Sequence, residues 1–372
     1  VADTSVQGWA QEKYGAAQSA FEKNLTEGAD VGASFCATVN GETVVDIWGG
    51  LADQDEGRAW ERDTIVNVYS TTKTMTALTA LLIADRGELD FARPVARYWP
   101  EFAAAGKQDV TVAHLMSHSA GLCGWREPLV AEDLYDWEKV TSLLAAQEPY
   151  WKPGTASGYH SVTQGFLVGE VIRRITGRTV GTVFREEIAQ PLGGDFHIGL
   201  PASEDGRVGT LIPPPPRELF ENPTDVQLSV GNPRLDVSLT RTRAWRAAEI
   251  PAANGTSNAR AVAQIQTILA NGGEAGGRRF LSEAGCRKAL EPQIEGTDLV
   301  LGIPIKFGLG FGISNQFMPN PNTLYWGGYG GSVVIIDMDV RTSMSYVMNK
   351  MAATTVGDTR AFSMMIGVWS AA

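Results

Sequence analysis

Several things are scarce in this sequence, and each shortage excludes something. Its 372 residues include three cysteines, Cys36, Cys123 and Cys286, far apart and without a C-x-x-C pair. That pattern does not read as a disulfide framework or a zinc site, and reduced thiols in a cytoplasmic protein are the simple expectation. No apolar run approaches the roughly 18 residues that a membrane-spanning helix needs. Val1-Ala2-Asp3-Thr4 shows no basic segment leading into an apolar stretch, so no signal peptide is read there. Positive charge is in deficit: 31 Lys and Arg face 42 Asp and Glu, a formal net charge of −11. Nucleic acids and anionic membrane surfaces reward basic patches, so neither is an expected partner. There is no G-x-x-x-x-G-K phosphate loop, no G-x-G-x-x-G and no G-x-S-x-G elbow. His114 and His118 stand four apart, without the Glu of a His-Glu-x-x-His pair or an obvious third ligand, so no metal is expected.

What is present is an ordinary globular composition, 44% hydrophobic and 20% charged, in a chain long enough for a large core. Ala10, Tyr14, Ala17, Phe21 and Leu25 have helical spacing and predict a helix over 8–26. Residues 31–39 and 42–48 alternate around Asn40-Gly41, a strong hairpin signal. Residues 51–63 read as a polar loop. Further helices are expected from Ser70 to Arg86-Gly87, from Thr111 towards Gly121, over Trp137–Ala146, from Ser161 to Ile175, around Phe184–Leu192, and over Ala259–Ala270. Residues 199–220, with Pro213 to Pro216 in a row, read as a surface loop rimming a cleft. Strands are expected over 307–313, 323–326, 333–338 and 343–348. Strands thus sit at both ends and helices in the middle. The expected class is α/β of the α+β type: an antiparallel sheet flanked by helices, formed by 1–86 and 246–372, with a mainly helical inserted domain over 87–245.

The one stretch that carries chemistry by itself is Ser70-Thr71-Thr72-Lys73, the only Ser-x-x-Lys in the chain. Residues three apart in a helix share a face, so a hydroxyl and an amine stand together where helix N–H groups are free. A serine is a poor nucleophile until its proton is taken, and a lysine of lowered pKa can take it. The plainer alternative is a capping serine beside a solvated lysine. A first-turn lysine opposes the helix dipole, which weakens that alternative.

This motif resembles the Ser-x-x-Lys of serine β-lactamases, penicillin-binding proteins and their relatives. The order of motifs behind it is similar to the class C β-lactamase-like group and, within it, to the family VIII carboxylesterases. His114-Leu115-Met116-Ser117-His118-Ser119-Ala120-Gly121-Leu122 resembles that group's His-Leu-Leu-x-His-x-Ser-Gly-Leu stretch, and Pro153-Gly154 followed by Tyr159-x-Ser161 resembles its Pro-Gly…Tyr-x-Asn segment. Trp326-Gly327-Gly328 stands where that group has Lys-Thr-Gly or His-x-Gly. The resemblance implies a β-lactamase/penicillin-binding-protein-like fold and an acyl-enzyme on Ser70. Lys73 and Tyr159 would form the base system, with a phenolate possible only if Lys73 stabilises it. Oxyanion donors would be the backbone N–H groups of Ser70 and Tyr329. Ser161, Trp326, Gly327 and Gly328 would contact substrate. Ser161 has less reach than the asparagine it replaces, and Trp326 offers a flat apolar wall in place of a cation. Both departures imply a neutral short-chain ester as substrate, with no cofactor. β-Lactam, D-amino peptide or acyl-transfer chemistry on the same residues is the alternative, with Arg234, Arg241 or Arg243 as the source of a positive charge.

Overall fold

The computed structural model describes residues 5–216, 220–354 and 357–372. Residues 1–4, and residues 217–219 of the expected proline-rich loop, lie outside the described residues. In chain order the strands are β1 Val6–Ala10, β2 Gly32–Val39, β3 Glu42–Asp53, β4 Arg58–Ala59, β5 Val66–Asn67, β6 Thr256–Ser257 and β7 Glu274–Ala275. They continue as β8 Arg278–Arg279, β9 Ile294–Thr297, β10 Pro304–Phe307, β11 Gly312–Ile313, β12 Thr323–Gly327, β13 Val333–Asp337 and β14 Thr342–Met348. Ten of them form one sheet in the order β1-β3-β2-β14-β13-β12-β11-β10-β9, with β4 paired to β3. Every pairing in it is antiparallel. The sheet therefore joins strands from both ends of the chain, and β2–β14 is the seam between them.

The Asn40-Gly41 hairpin forms as expected, with φ of 52° and 83° at its two turn residues. Helix α1, Gly15–Thr26, packs against the helix Thr359–Trp369 on one face of the sheet. Gly367 permits that contact: a Cβ there would lie 2.7 Å from the Ala17 nitrogen. The helix Ala259–Ala270 covers β2, β13 and β14. With both faces covered, β13 and β14 are buried at every position: β13 runs apolar from Val333 to Ile336, and β14 carries only small hydroxyl residues, Thr342, Ser343 and Ser345, among its apolar ones.

Helix α2, Thr72–Asp85, is buried from Thr72 to Ile83. Helix α3, Val112–Met116, is capped by Thr111, and α4 spans Trp137–Ala146. Helix α5, Thr163–Thr176, ends at Gly177 in the left-handed conformation and packs against α2.

Three expectations are corrected. The stretch 8–26 is not one helix: β1 occupies 6–10 and α1 starts at Gly15. Pairing with β3 overrides the helical spacing of Ala10, and at Gly8 (φ 89°) a Cβ would lie 2.1 Å from the Asp46 carbonyl oxygen. The polar stretch 51–63 is partly strand, because β3 runs on to Asp53 and pairs with β4. The expected strand 307–313 is broken between β10 and β11, where Gly310 (φ 92°) turns the chain so closely that a Cβ would lie 2.3 Å from that of Ala77 on α2. The expected helix at 184–192 is continuous with the preceding Val180–Phe184 through a π-type turn.

Candidate active site

The site is built on the arm between β5 and α2. β5 pairs with β6 through Val66–Ser257 and Asn67–Thr256. Val68 N–H donates to Gly255 O at 2.8 Å, and Gly255 N–H donates to Thr72 Oγ1 at 2.8 Å. Asn67 Nδ2 donates to Ala253 O at 3.0 Å and its Oδ1 accepts from Trp245 Nε1 at 2.9 Å. From the sheet side, Ser332 Oγ donates to Val68 O at 2.8 Å and lies 2.9 Å from Thr71 Oγ1. Held at both ends, the chain passes through Tyr69 at φ 45°. Left-handed backbone at a tyrosine is strained and persists only where its surroundings over-determine it. The next residue is Ser70, 8% exposed, in the short 3₁₀ turn Tyr69–Thr71 that leads into α2.

Lys73 is buried on the first turn of α2, and its Nζ has three partners: Ser70 Oγ at 3.0 Å, Ser161 O at 2.5 Å and Ala252 O at 3.1 Å. Burial pushes its pKa well below that of an ordinary lysine. A neutral amine satisfies this geometry fully. Two N–H groups reach the two carbonyls and the lone pair faces the Ser70 hydroxyl. The Tyr159 ring lies 4.7 Å from the same nitrogen. Its hydroxyl accepts from Trp326 Nε1 at 3.1 Å and interacts electrostatically with the Ser70 side chain. Burial, the largest cause, pushes the Tyr159 phenol upward; the Ser70 and Trp326 side chains only partly oppose it.

Tyr159 is positioned by a residue that sequence reasoning missed. Asp298 is fully buried, accepts from Tyr159 N–H at 3.0 Å and Ser157 Oγ at 2.8 Å, and also accepts from the N–H groups of Val300 and Leu301. It lies in the bend between β9 and β10, and a lone aspartate in Thr297-Asp298-Leu299 carries no sequence signal. The histidines behind Tyr159 pack and hydrogen-bond. His118 Nδ1 accepts from His160 N–H at 2.9 Å, and His160 Nε2 accepts from Leu122 N–H at 3.1 Å. His114 Nδ1 accepts from Thr111 N–H within the α3 cap. Among the described residues no group of His, Cys, Asp and Glu could hold a metal ion.

The end of β12 closes the site. Trp326 is 1% exposed and packs on Tyr159, His118 and Phe307, so it meets the site through its indole N–H and Tyr159, not as an open wall. Gly327 and Gly328 follow, and a Cβ on Gly328 would lie 2.1 Å from the Val68 carbonyl oxygen. Only glycine lets this strand lie so close to the Ser70 arm. Tyr329 is exposed, its ring edge meets Tyr69 with centroids 5.6 Å apart, and its N–H has no hydrogen-bond partner among the described residues. The structure thus brings Ser70, Lys73, Tyr159, Trp326, Gly328 and the Ser161 carbonyl into one cluster. Arg243 is committed to Asp205 and Leu200, while Arg234 and Arg241 are exposed on their loop.

The beta-lactamase family profile matches residues 17–365. The chain belongs to this family. Among relatives, the Esterase/beta-lactamase LipL of Mycobacterium tuberculosis (strain ATCC 25618 / H37Rv) is 34% identical over 344 residues, covering 87% of this chain and 78% of its own. A solved family VIII carboxylesterase superposes with a TM-score of 0.95 at 42% identity, covering 99% of this beta-lactamase-family chain and 100% of its own. A penicillin-binding protein homologue from Caulobacter crescentus follows with a TM-score of 0.94 at 36% identity, over 99% of this chain and 100% of that one. The β-lactamase/penicillin-binding-protein-like fold expected from the motif order is therefore the fold of this family member.

Proposed function

We propose that this protein is a serine carboxylesterase that hydrolyses short-chain acyl esters through an acyl-enzyme on Ser70. The observation that carries the reading is the contact between Lys73 Nζ and Ser70 Oγ at 3.0 Å, made by a buried amine whose pKa is lowered. Neutral Lys73 accepts the Ser70 proton as Ser70 Oγ attacks the ester carbonyl carbon. The resulting ammonium keeps both carbonyl acceptors, Ser161 O and Ala252 O. The oxyanion faces the backbone N–H groups of Ser70 and Tyr329. Tyr159, kept protonated by burial, passes a proton to the departing alcohol, and Lys73 restores it. Water then repeats the sequence on the acyl-enzyme. In this assignment Lys73 is the base, and a Tyr159 phenolate is not required.

Ester preference rests on the absence, among the described residues, of a free cation at the Trp326 position, where a substrate carboxylate would sit. Trp326 is uncharged, and Arg243 is already paired with Asp205. The relatives' names agree, since those at 34% and 42% identity include the word esterase. Three buried free thiols fit a reducing compartment. No helix among the described residues is long and apolar enough to cross a membrane.

The test is turnover of an activated short-chain ester and of a cephalosporin by wild type and by Ser70→Ala. Wild type is expected to cleave the ester much faster than the cephalosporin, and Ser70→Ala neither. Equal activity of the two proteins would remove the mechanism. Preferential cephalosporin turnover would favour the β-lactamase alternative.

A further inference from the structure

We propose that Arg360, on the helix Thr359–Trp369, is a positioning residue for the loop that presents the Tyr329 N–H; this rests on the oxyanion-hole reading above. Tyr329 sits at the tip of that loop, and its neighbours are clamped from two sides. On the near side Gly328 N–H donates to Ser332 O at 2.7 Å, and Ser332 itself holds Val68. On the far side Gly330 O accepts from Ala352 N–H at 2.8 Å and from Arg360 Nη2 at 3.0 Å.

The Arg360 guanidinium is spent on fixing this place. Nε and Nη2 hold Asp358, with the Nη2–Oδ2 contact at 2.7 Å. Nη1 reaches Asp30 Oδ1 at 2.9 Å, Lys350 O at 2.8 Å and Ala29 O at 3.3 Å. Asp30 Oδ1 also accepts from Tyr346 Oη at 2.6 Å. The side chains of Arg360, Asp30 and Asp358 are 10%, 0% and 3% exposed, so water competes little for these bonds. One planar fork thus ties the helix, the segment following β14 and the turn after α1 to a single carbonyl of the loop, which an ammonium cannot do.

The loop sits directly on this network. Gly330 has φ 96° and Gly331 φ 130°; a Cβ on Gly331 would lie 2.3 Å from Asp358 Oδ2 and 2.8 Å from Arg360 Nη2. No side chain cushions the contact, so a shift of the guanidinium passes to the Tyr329 peptide. Misplacing a group aimed at developing charge by an ångström lowers rate while leaving ground-state binding nearly unchanged.

The test uses Arg360→Met and Arg360→Lys, with active sites counted by a serine-reactive aryl phosphonate. Leu25→Ala, buried on α1 away from the site, serves as a control for lost stability. Arg360→Met is expected to lower kcat per titrated site by about tenfold or more, with KM within about threefold, and to slow phosphonylation in parallel. Arg360→Lys is expected to fall between it and wild type. Leu25→Ala is expected to lower Tm and keep kcat per titrated site. The proposal is overturned if Arg360→Met, or Arg360→Lys where the former is not recovered folded, keeps wild-type kcat per titrated site or loses only KM. If wild type itself is not labelled by the phosphonate, the Ser70 reading falls; if it is labelled and the Arg360 variants behave as wild type, only the positioning role falls.

Discussion

Lys73 shows how one residue's meaning depends on its surroundings. As a letter in a sequence it is a first-turn lysine at odds with the helix dipole. Inside the protein it is an amine without water, holding two carbonyls and facing a hydroxyl. Its depressed pKa fixes the sign of the pH dependence. On the proposed mechanism, above that pKa the amine is free to accept the Ser70 proton; below it the site is protonated and idle. Turnover should therefore fall as pH drops through the Lys73 pKa, and Tyr159, shifted upward, should add no alkaline limb below the usual tyrosine range. The kcat/KM profile of an activated ester checks this, and Lys73→Met should lose about a thousandfold at neutral pH. An acid limb that persists unchanged in Lys73→Met would assign it to another group. Ser70, Lys73 and Tyr159 could all be picked out from the motif order. Asp298 and the Trp326 indole bond could not, because both depend on chain segments brought together from more than a hundred residues away.

At the scale of elements, close approach decides the site. The Ser70 arm, β12 and the β5–β6 pair meet with no room for a methyl group at Gly328, whose Cβ would lie 2.1 Å from Val68 O and 2.4 Å from Ser332 Oγ. Both are held atoms, so relief requires the strand to move away from Ser70. Gly328→Ala should cut kcat per titrated site by about a hundredfold or fail to fold. Gly206→Ala, where a Cβ meets nothing within 4 Å, should leave both Tm and kcat unchanged. Activity and thermal melts of the pair would decide, and an active, stable Gly328→Ala would refute the close-approach argument. Elements were legible where local chemistry was strong. Asn40-Gly41, the Thr111 cap and Gly177 all stand at the expected turns and ends. They were misread where pairing overrode periodicity, as in β1, and where a glycine turn interrupted an apolar run, as at Gly310.

For the molecule as a whole, the buried histidines set the response to acid. His118 and His160 pack behind Tyr159, and burial depresses both; His160 falls to about 4. An unfolded histidine titrates near 6.5. Below that pH the unfolded chain binds more protons than the folded one, so stability falls as pH falls. For His160 alone the loss from pH 7 to pH 5 is about 2 kcal/mol, and His118 adds to it. Asp30 and Glu249, raised by burial, act in the opposite direction. Carboxylates with depressed pKa, such as Asp195, act mainly at lower pH. Urea unfolding should therefore show a lower midpoint at pH 5 than at pH 7, and equal midpoints would contradict the burial of neutral histidines.

The sequence by itself determined the nucleophile motif, the order of the motifs behind it, the hairpin and most helix ends. Each depends on neighbours within a few residues or on a pattern that survives without coordinates. Tertiary structure alone decided that Lys73 is buried, that Tyr69 is strained, that Trp326 hydrogen-bonds Tyr159, that Asp298 holds Tyr159 N–H and that Arg360 holds Gly330 O. Desolvation, close packing and buried hydrogen bonds are properties of what surrounds a residue, and the surroundings here come from distant parts of the chain.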